Sequence, residues 1–203
     1  MYVVVGLGNP GRRYATTRHN VGFMIIEQLA RRWQIALAPA DSACIGRGAY
    51  RDTQVMLMQP QRFMNLSGDA VVATVPELER SADGIETDAA NPMQLVVIHD
   101  DLDLPCGRLR VKRGGGSGGH RGVESIAARC GTEFFRIRVG IGRPAPGHDA
   151  AAHVLEPFAP DEEKLIAEAI VRAGDAVEML ISDGVTATMN RFNQRGATPA
   201  RAN

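Results

Sequence analysis

The chain offers its chemistry in short blocks. It opens Val3-Val4-Val5-Gly6-Leu7-Gly8-Asn9-Pro10-Gly11, with Tyr14 and then Arg18-His19-Asn20 close behind. An apolar run that ends in a glycine turn and then delivers an amide and an imidazole suits a site at the end of a sheet strand. The bland alternative is a strand, a tight turn and a surface histidine. Phe63-Met64-Asn65-Leu66-Ser67-Gly68 lies at a strand-to-helix junction. Asn65 there offers a donor and an acceptor, and Phe63 an aromatic surface for a base or an apolar group. The same side chains could simply pack, or cap a helix. Ile98-His99-Asp100-Asp101-Leu102-Asp103-Leu104-Pro105 closes an apolar strand with three acids. Such acids suit a metal such as Mg²⁺, loop capping, or the orientation of a histidine. His19, His99 and His120 all qualify as that histidine.

Two glycine patterns match known signatures. Gly6-Leu7-Gly8-Asn9-Pro10-Gly11 has the spacing of a dinucleotide-binding turn, which needs a helix to begin at its third glycine. The helical pattern here starts only at Val21, and no acid ends a second strand at the expected distance. That function is therefore disfavoured. Gly115-Gly116-Ser117-Gly118-Gly119 matches the nucleophile-elbow pattern, and a hydrolase using Ser117 with His148 or His153 is an alternative. So many glycines better suit a backbone that exposes N–H groups to a phosphate or another anion.

The formal net charge of zero conceals a local asymmetry. Between Cys106 and Arg143, nine basic residues face only Glu124 and Glu133, a local charge of +7. Acidic stretches flank this segment on both sides. A localised positive face of that kind fits a phosphate-bearing partner, and the alternative is a set of solvated surfaces.

The elements that must position these residues follow from periodicity. Strands are expected at Tyr2–Gly8, Cys44–Arg51, Gln54–Gln59, Gln94–His99, Gly107–Lys112 and Phe134–Ile141. Helices are expected at Val21–Trp33, with Asn20 as N-cap, from Ser67 to about Val75, at Gly122–Cys130, and as two between Asp161 and about Asn193, parted by Gly184. Asp161, Glu162 and Glu163 complement the dipole in the first turn of the first of these two. This order implies an α/β three-layer sandwich, a twisted, mostly parallel mixed sheet with helices on both faces. Residues 1–194 form one domain, Glu77–Pro92 reads as a long surface loop, and 195–203 as a flexible tail.

At 203 residues the chain can bury a core without staples. It has no apolar run of about 18 residues and no secretory signal pattern. Cys44, Cys106 and Cys130 form no CxxC pair and read as reduced thiols, so the expected compartment is the cytoplasm, with no membrane association.

Taken in order, these blocks resemble bacterial peptidyl-tRNA hydrolase. The resemblance rests on the opening Gly6–Gly11 turn, Tyr14, Thr17-Arg18-His19-Asn20, Phe63–Gly68 and His99–Pro105. It continues through Gly114–His120 and Arg136-Ile137-Arg138-Val139-Gly140-Ile141-Gly142, over nearly the whole chain. It implies a monomeric esterase, without cofactor or metal, that frees peptides from the 3′ end of tRNA; the alternative is a catalytically inactive RNA-binding scaffold of the same fold. By the same resemblance His19 is the general base and Asp100 orients it, while Asn9 and Asn65 hold substrate, Asn9 by meeting a peptide N–H. Tyr14 and Phe63 line the pocket for the tRNA acceptor end, and Lys112 with Arg138 grips the 5′ phosphate.

One position departs from the family pattern. Where the family has Gly-His-Asn-Gly, this chain reads Gly119-His120-Arg121-Gly122. Asparagine both accepts and donates; arginine only donates and is always charged. Arg121 therefore cannot accept a hydrogen bond from water, but it can contact a phosphate or a developing oxyanion.

Overall fold

A computed structural model of the chain describes residues 1–79 and 93–194. Most of the expected Glu77–Pro92 loop and the 195–203 tail lie outside the described residues. Alternation decides the architecture. In β1 (Tyr2–Gly6), Val4 faces one apolar cluster while Val3 and Val5 face another, as period-two side chains must when both sheet faces are covered. The first cluster is closed by α1 (Val21–Trp33) and α5 (Pro160–Phe192). The second is closed by α2 (Ser67–Thr74) and α3 (Arg121–Cys130). The result is the expected three-layer sandwich.

Seven strands lie in the order β2-β3-β4-β1-β5-β7-β6. Here β2 is Ala38–Pro39, β3 Ala43–Tyr50, β4 Thr53–Pro60, β5 Gln94–Asp101, β6 Leu109–Arg113 and β7 Phe135–Gly140. The central four, β4, β1, β5 and β7, are mutually parallel, and the outer strands join antiparallel. The carboxyl ends of β1, β4 and β5 therefore open on one side, where ligand sites of open α/β sheets form. All six expected strands are present, with ends shifted by up to two residues.

The differences have local causes. The two-residue β2 is too short for any periodicity to show. Helix α4 (Ala150–Val154) has a single buried side chain, His153, so it carries no apolar stripe; Asp149 caps it by accepting from Ala152 N at 3.1 Å. Helix α5 is continuous except at Gly184, whose φ of 81° breaks it where a separation was expected. Asn20 occupies the N-cap position of α1 but makes no capping bond, because its amide is committed to Asn9. Among the described residues no helix is long and apolar enough to cross a membrane.

One contact sets how closely α1 approaches the sheet. A Cβ on Gly22 would lie 2.4 Å from Leu7 N and 2.7 Å from Ile98 O, both backbone atoms that cannot swing aside. Gly22→Ala is therefore expected to cost about 1–3 kcal/mol, as overpacked cores do. A lowered urea midpoint at unchanged slope would show it, and a wild-type midpoint would refute the close-approach argument.

Candidate active site

The functional blocks meet at the carboxyl ends of the strands, around a cavity of about 690 Å³. Asn9 follows β1, Phe63 and Asn65 follow β4, Asp100 is the last residue but one of β5, and His19 stands on the 3-10 turn before α1. Lys112 of β6, Arg138 of β7 and Arg121 of α3 also line the cavity. Of the site residues that the family resemblance implies, Tyr14 is outside this lining. It ends the 3-10 turn Arg12–Tyr14, where its hydroxyl accepts from Arg13 and its ring lies 4.4 Å from that guanidinium.

The centre is Asp100, only 3% exposed. Its Oδ1 accepts from His19 Nδ1 at 2.9 Å and from His120 Nε2 at 2.9 Å. The tautomer of His120 follows from its other nitrogen. Nδ1 accepts from the backbone N–H groups of Gly122 and Val123 at 3.2 and 3.3 Å, capping α3, so the ring proton must be on Nε2. A carboxylate oxygen likewise requires a proton on His19 Nδ1, which leaves His19 Nε2 with the free lone pair. Burial pushes the Asp100 carboxyl up, but the charges and hydrogen bonds of His19 and His120 outweigh it and hold it below the ordinary carboxylate range.

His99 takes a different part. Its Nδ1 donates to Asp100 O at 2.7 Å, its ring meets His120 edge-on at 4.9 Å, and its Nε2 is buried without a partner. Burial, then the nearby His120, pull its pKa to about 3, so it stays neutral. Asp100 thus serves two of the three eligible histidines. His120, one of three candidate partners in the sequence, shares Asp100 with His19.

Asn9 is held rigidly. Its backbone N–H and C=O pair with the Asn20 amide at 2.9 Å each, and its Oδ1 accepts from Met64 N at 3.0 Å. Its Nδ2 is left as the group facing a ligand. The turn bearing His19 is tied down on its far side, where Arg18 N donates to Glu156 O at 3.0 Å and Arg18 Nη2 meets Glu162 Oε2 at 2.7 Å.

The antiparallel β6–β7 pair carries the cations. Arg110 lies opposite Arg138 and Lys112 opposite Arg136, so four like charges share one face. Directly opposed like charges destabilise a sheet, and an anion bound across them relieves that cost. Arg138 is paired with Asp101, and the buried Arg136 donates to Gly115 O and to Gly116 O, fixing the glycine loop. The role of Arg136 was missed from sequence; its only signal was its alternation with Arg138. Among the described residues Lys112 and Arg121 have no hydrogen-bond or ion-pair partner. Burial, then the charges of Arg136, Arg138 and Arg110, pull Lys112 below its ordinary value.

The residues of the rival chemistries have other partners. Asp101 and Asp103 pair with Arg138 and Arg143, and Asp100 with two histidines. Ser117 Oγ accepts from Gly119 N, whereas His148 and His153 pair with Glu156 and Gly142 O, so neither histidine is hydrogen-bonded to that serine among the described residues. Burial pushes Cys106 up to about 11 and Cys130 up to about 12, and both remain thiols.

Comparison with known proteins gives the same answer as the geometry. The family model described as peptidyl-tRNA hydrolase matches residues 3–200. A peptidyl-tRNA hydrolase of Chloroflexus aggregans is 45% identical over 195 residues, covering 95% of this chain and 99% of the relative. One from Geobacillus thermodenitrificans is 41% identical, covering 96% of this chain and 100% of the relative. The crystal structure of the Acinetobacter baumannii enzyme superposes with a TM-score of 0.83 at 37% identity, covering 95% of this chain and 94% of that one. With its fold and nearly its whole length matched, the chain belongs to the peptidyl-tRNA hydrolase family.

Proposed function

We propose that this chain hydrolyses the ester joining a peptide to the 3′ end of tRNA, with His19 as general base. The observation that carries the mechanism is the single Asp100 oxygen holding His19 by Nδ1, which turns the lone pair of Nε2 outward. That nitrogen takes a proton from water as the oxygen attacks the ester carbonyl, and the carboxylate stabilises the imidazolium that forms. The proton then passes to the leaving ribose hydroxyl. A base so placed supplies about 10²–10⁴-fold in rate.

Asn9 selects for a blocked amino group, and its orientation reverses the contact expected from sequence. With Oδ1 turned to Met64 N, the side chain offers a donor, which suits a carbonyl of the peptide and not its N–H. A free α-ammonium carries donors only and would be desolvated beside another donor. Asn65 supplies a second amide, and the exposed Phe63 a face for the terminal base. Lys112 and Arg138, on the cationic face, hold the 5′ phosphate. Arg121 contributes a donor-only cation where the family has an amide, placed for a phosphate or the oxyanion.

Three outcomes test this reading. Wild type should cleave N-acetyl-aminoacyl-tRNA in EDTA and spare free aminoacyl-tRNA, while His19→Ala should lose at least about 10²-fold in kcat but still bind tRNA. Near-normal turnover by that variant would sink the assignment. Lys112→Ala should weaken tRNA binding and flatten its salt dependence by close to one phosphate contact, at little change in kcat. An unaltered salt slope would remove Lys112 from the phosphate site. His120→Asn should keep the α3 cap yet lose the bond to Asp100, so its kcat should fall with that of His120→Ala while its stability exceeds it by about 1 kcal/mol. If the asparagine variant recovers wild-type kcat, His120 acts only as a cap.

A further inference from the structure

Outside the active centre, His148, His153 and Glu156 converge at the two ends of helix α4, a position that neither the mechanism nor the family resemblance uses. One ring nitrogen of each histidine and one carboxylate oxygen of Glu156 lie within 4.8 Å of one another. We propose that these three side chains form a binding site for a divalent transition ion of the zinc class, which braces the α4 wall of the cavity.

The donor set fits such an ion. Two imidazoles and a carboxylate suit Zn²⁺, Ni²⁺ or Cu²⁺, and they disfavour Mg²⁺ and Ca²⁺, which prefer all-oxygen shells. Tetrahedral ligands about 2.1 Å from an ion stand roughly 3.4 Å apart. His148 Nε2 and Glu156 Oε1 are already 3.0 Å apart, and their rings and carboxylate are free to turn because both residues are exposed. The buried His153 has the feature usual for a ligating histidine: its Nε2 donates to a backbone carbonyl, that of Gly142, at 3.2 Å. That bond fixes the ring and leaves Nδ1 with the lone pair. A fourth position stays open to water.

Charge also favours the site. Arg18 Nη1 lies 3.7 Å from Glu156 Oε2, but the Arg18 guanidinium is matched more closely by Glu162 at 2.7 Å. Glu156 is therefore not committed to Arg18. Access is direct, because His148 and Glu156 face solvent. Asp149, Ala150, Ala151, Val154 and Leu155 line the active cavity, so an ion clipping the residues just before and just after α4 holds that wall in place.

Isothermal titration of Zn²⁺ into the chelator-treated chain tests the proposal. The expected result is one ion per chain, bound at least about 10-fold more weakly by His148→Ala and by Glu156→Gln. Mg²⁺ should give no comparable binding. His19→Ala is the control, because His19, Asp100 and His120 also lie within 4.8 Å of one another, and its affinity should match wild type. Equal affinity in wild type and His148→Ala would overturn the site, and so would loss of binding in His19→Ala.

Discussion

The active centre depends on one oxygen atom. Asp100 Oδ1 receives a hydrogen bond from each of two imidazoles, and that sharing fixes the proton positions on both rings. A buried carboxylate without donors would take up a proton; with two N–H groups on it, it remains the charged partner a base needs. Three elements must converge for this to happen. Strand β5 delivers the carboxylate, the 3-10 turn before α1 delivers His19, and the N-terminus of α3 delivers His120. Because the first-turn amides of α3 occupy His120 Nδ1, the helix itself dictates that Nε2 carries the proton. The orientation of the base is thus set by backbone geometry two side chains away.

How much of this the sequence reveals depends on how local the cause is. Helix α1 is legible because Val21, Ile25 and Leu29 form a buried stripe at helical spacing. The central strands β1, β4 and β5 are legible because they alternate between two cores, and β6 and β7 because apolar residues alternate with cations, although their ends slip where glycine and proline turns blur the pattern. Helix α4 is not legible, since a five-residue helix with one buried side chain has no period to show. The pairing of Asp100 is intermediate. That a histidine and an acid meet follows from the blocks, but the choice among His19, His99 and His120 is three-dimensional. Asn20 shows the opposite case, an expected cap whose amide is drawn away by a stronger tertiary partner, the backbone of Asn9.

Charge illustrates the same limit. The +7 segment overstates the field that a ligand meets, because Arg138 is answered by Asp101, Arg143 by Asp103, and Arg129 by Asp69 and Glu79. What survives is set by register. Arg110 opposite Arg138 and Lys112 opposite Arg136 concentrate cations on one face of β6–β7, while the alternate Leu109, Val111, Ile137 and Val139 fill the core. Composition leads one to expect a positive face; the ladder decides where the cations gather.

The wall and the base of the cavity are mechanically one unit. Arg18, next to His19, donates through Nη1 to Pro157 O at 2.8 Å and through its backbone to Glu156 O, and Thr17 bridges Pro157. These are the residues that leave α4, so any displacement of that helix pulls on the turn that aims the imidazole. Glu162 completes the joint by accepting from Arg18 and from Ala159 N, which ties the same turn to the first turn of α5. A guanidinium suits this joint because its planar fork of donors reaches several acceptors at once, whereas a lysine presents a single point charge. The buried Arg18 thereby couples the α4 wall of the cavity to the turn that carries His19.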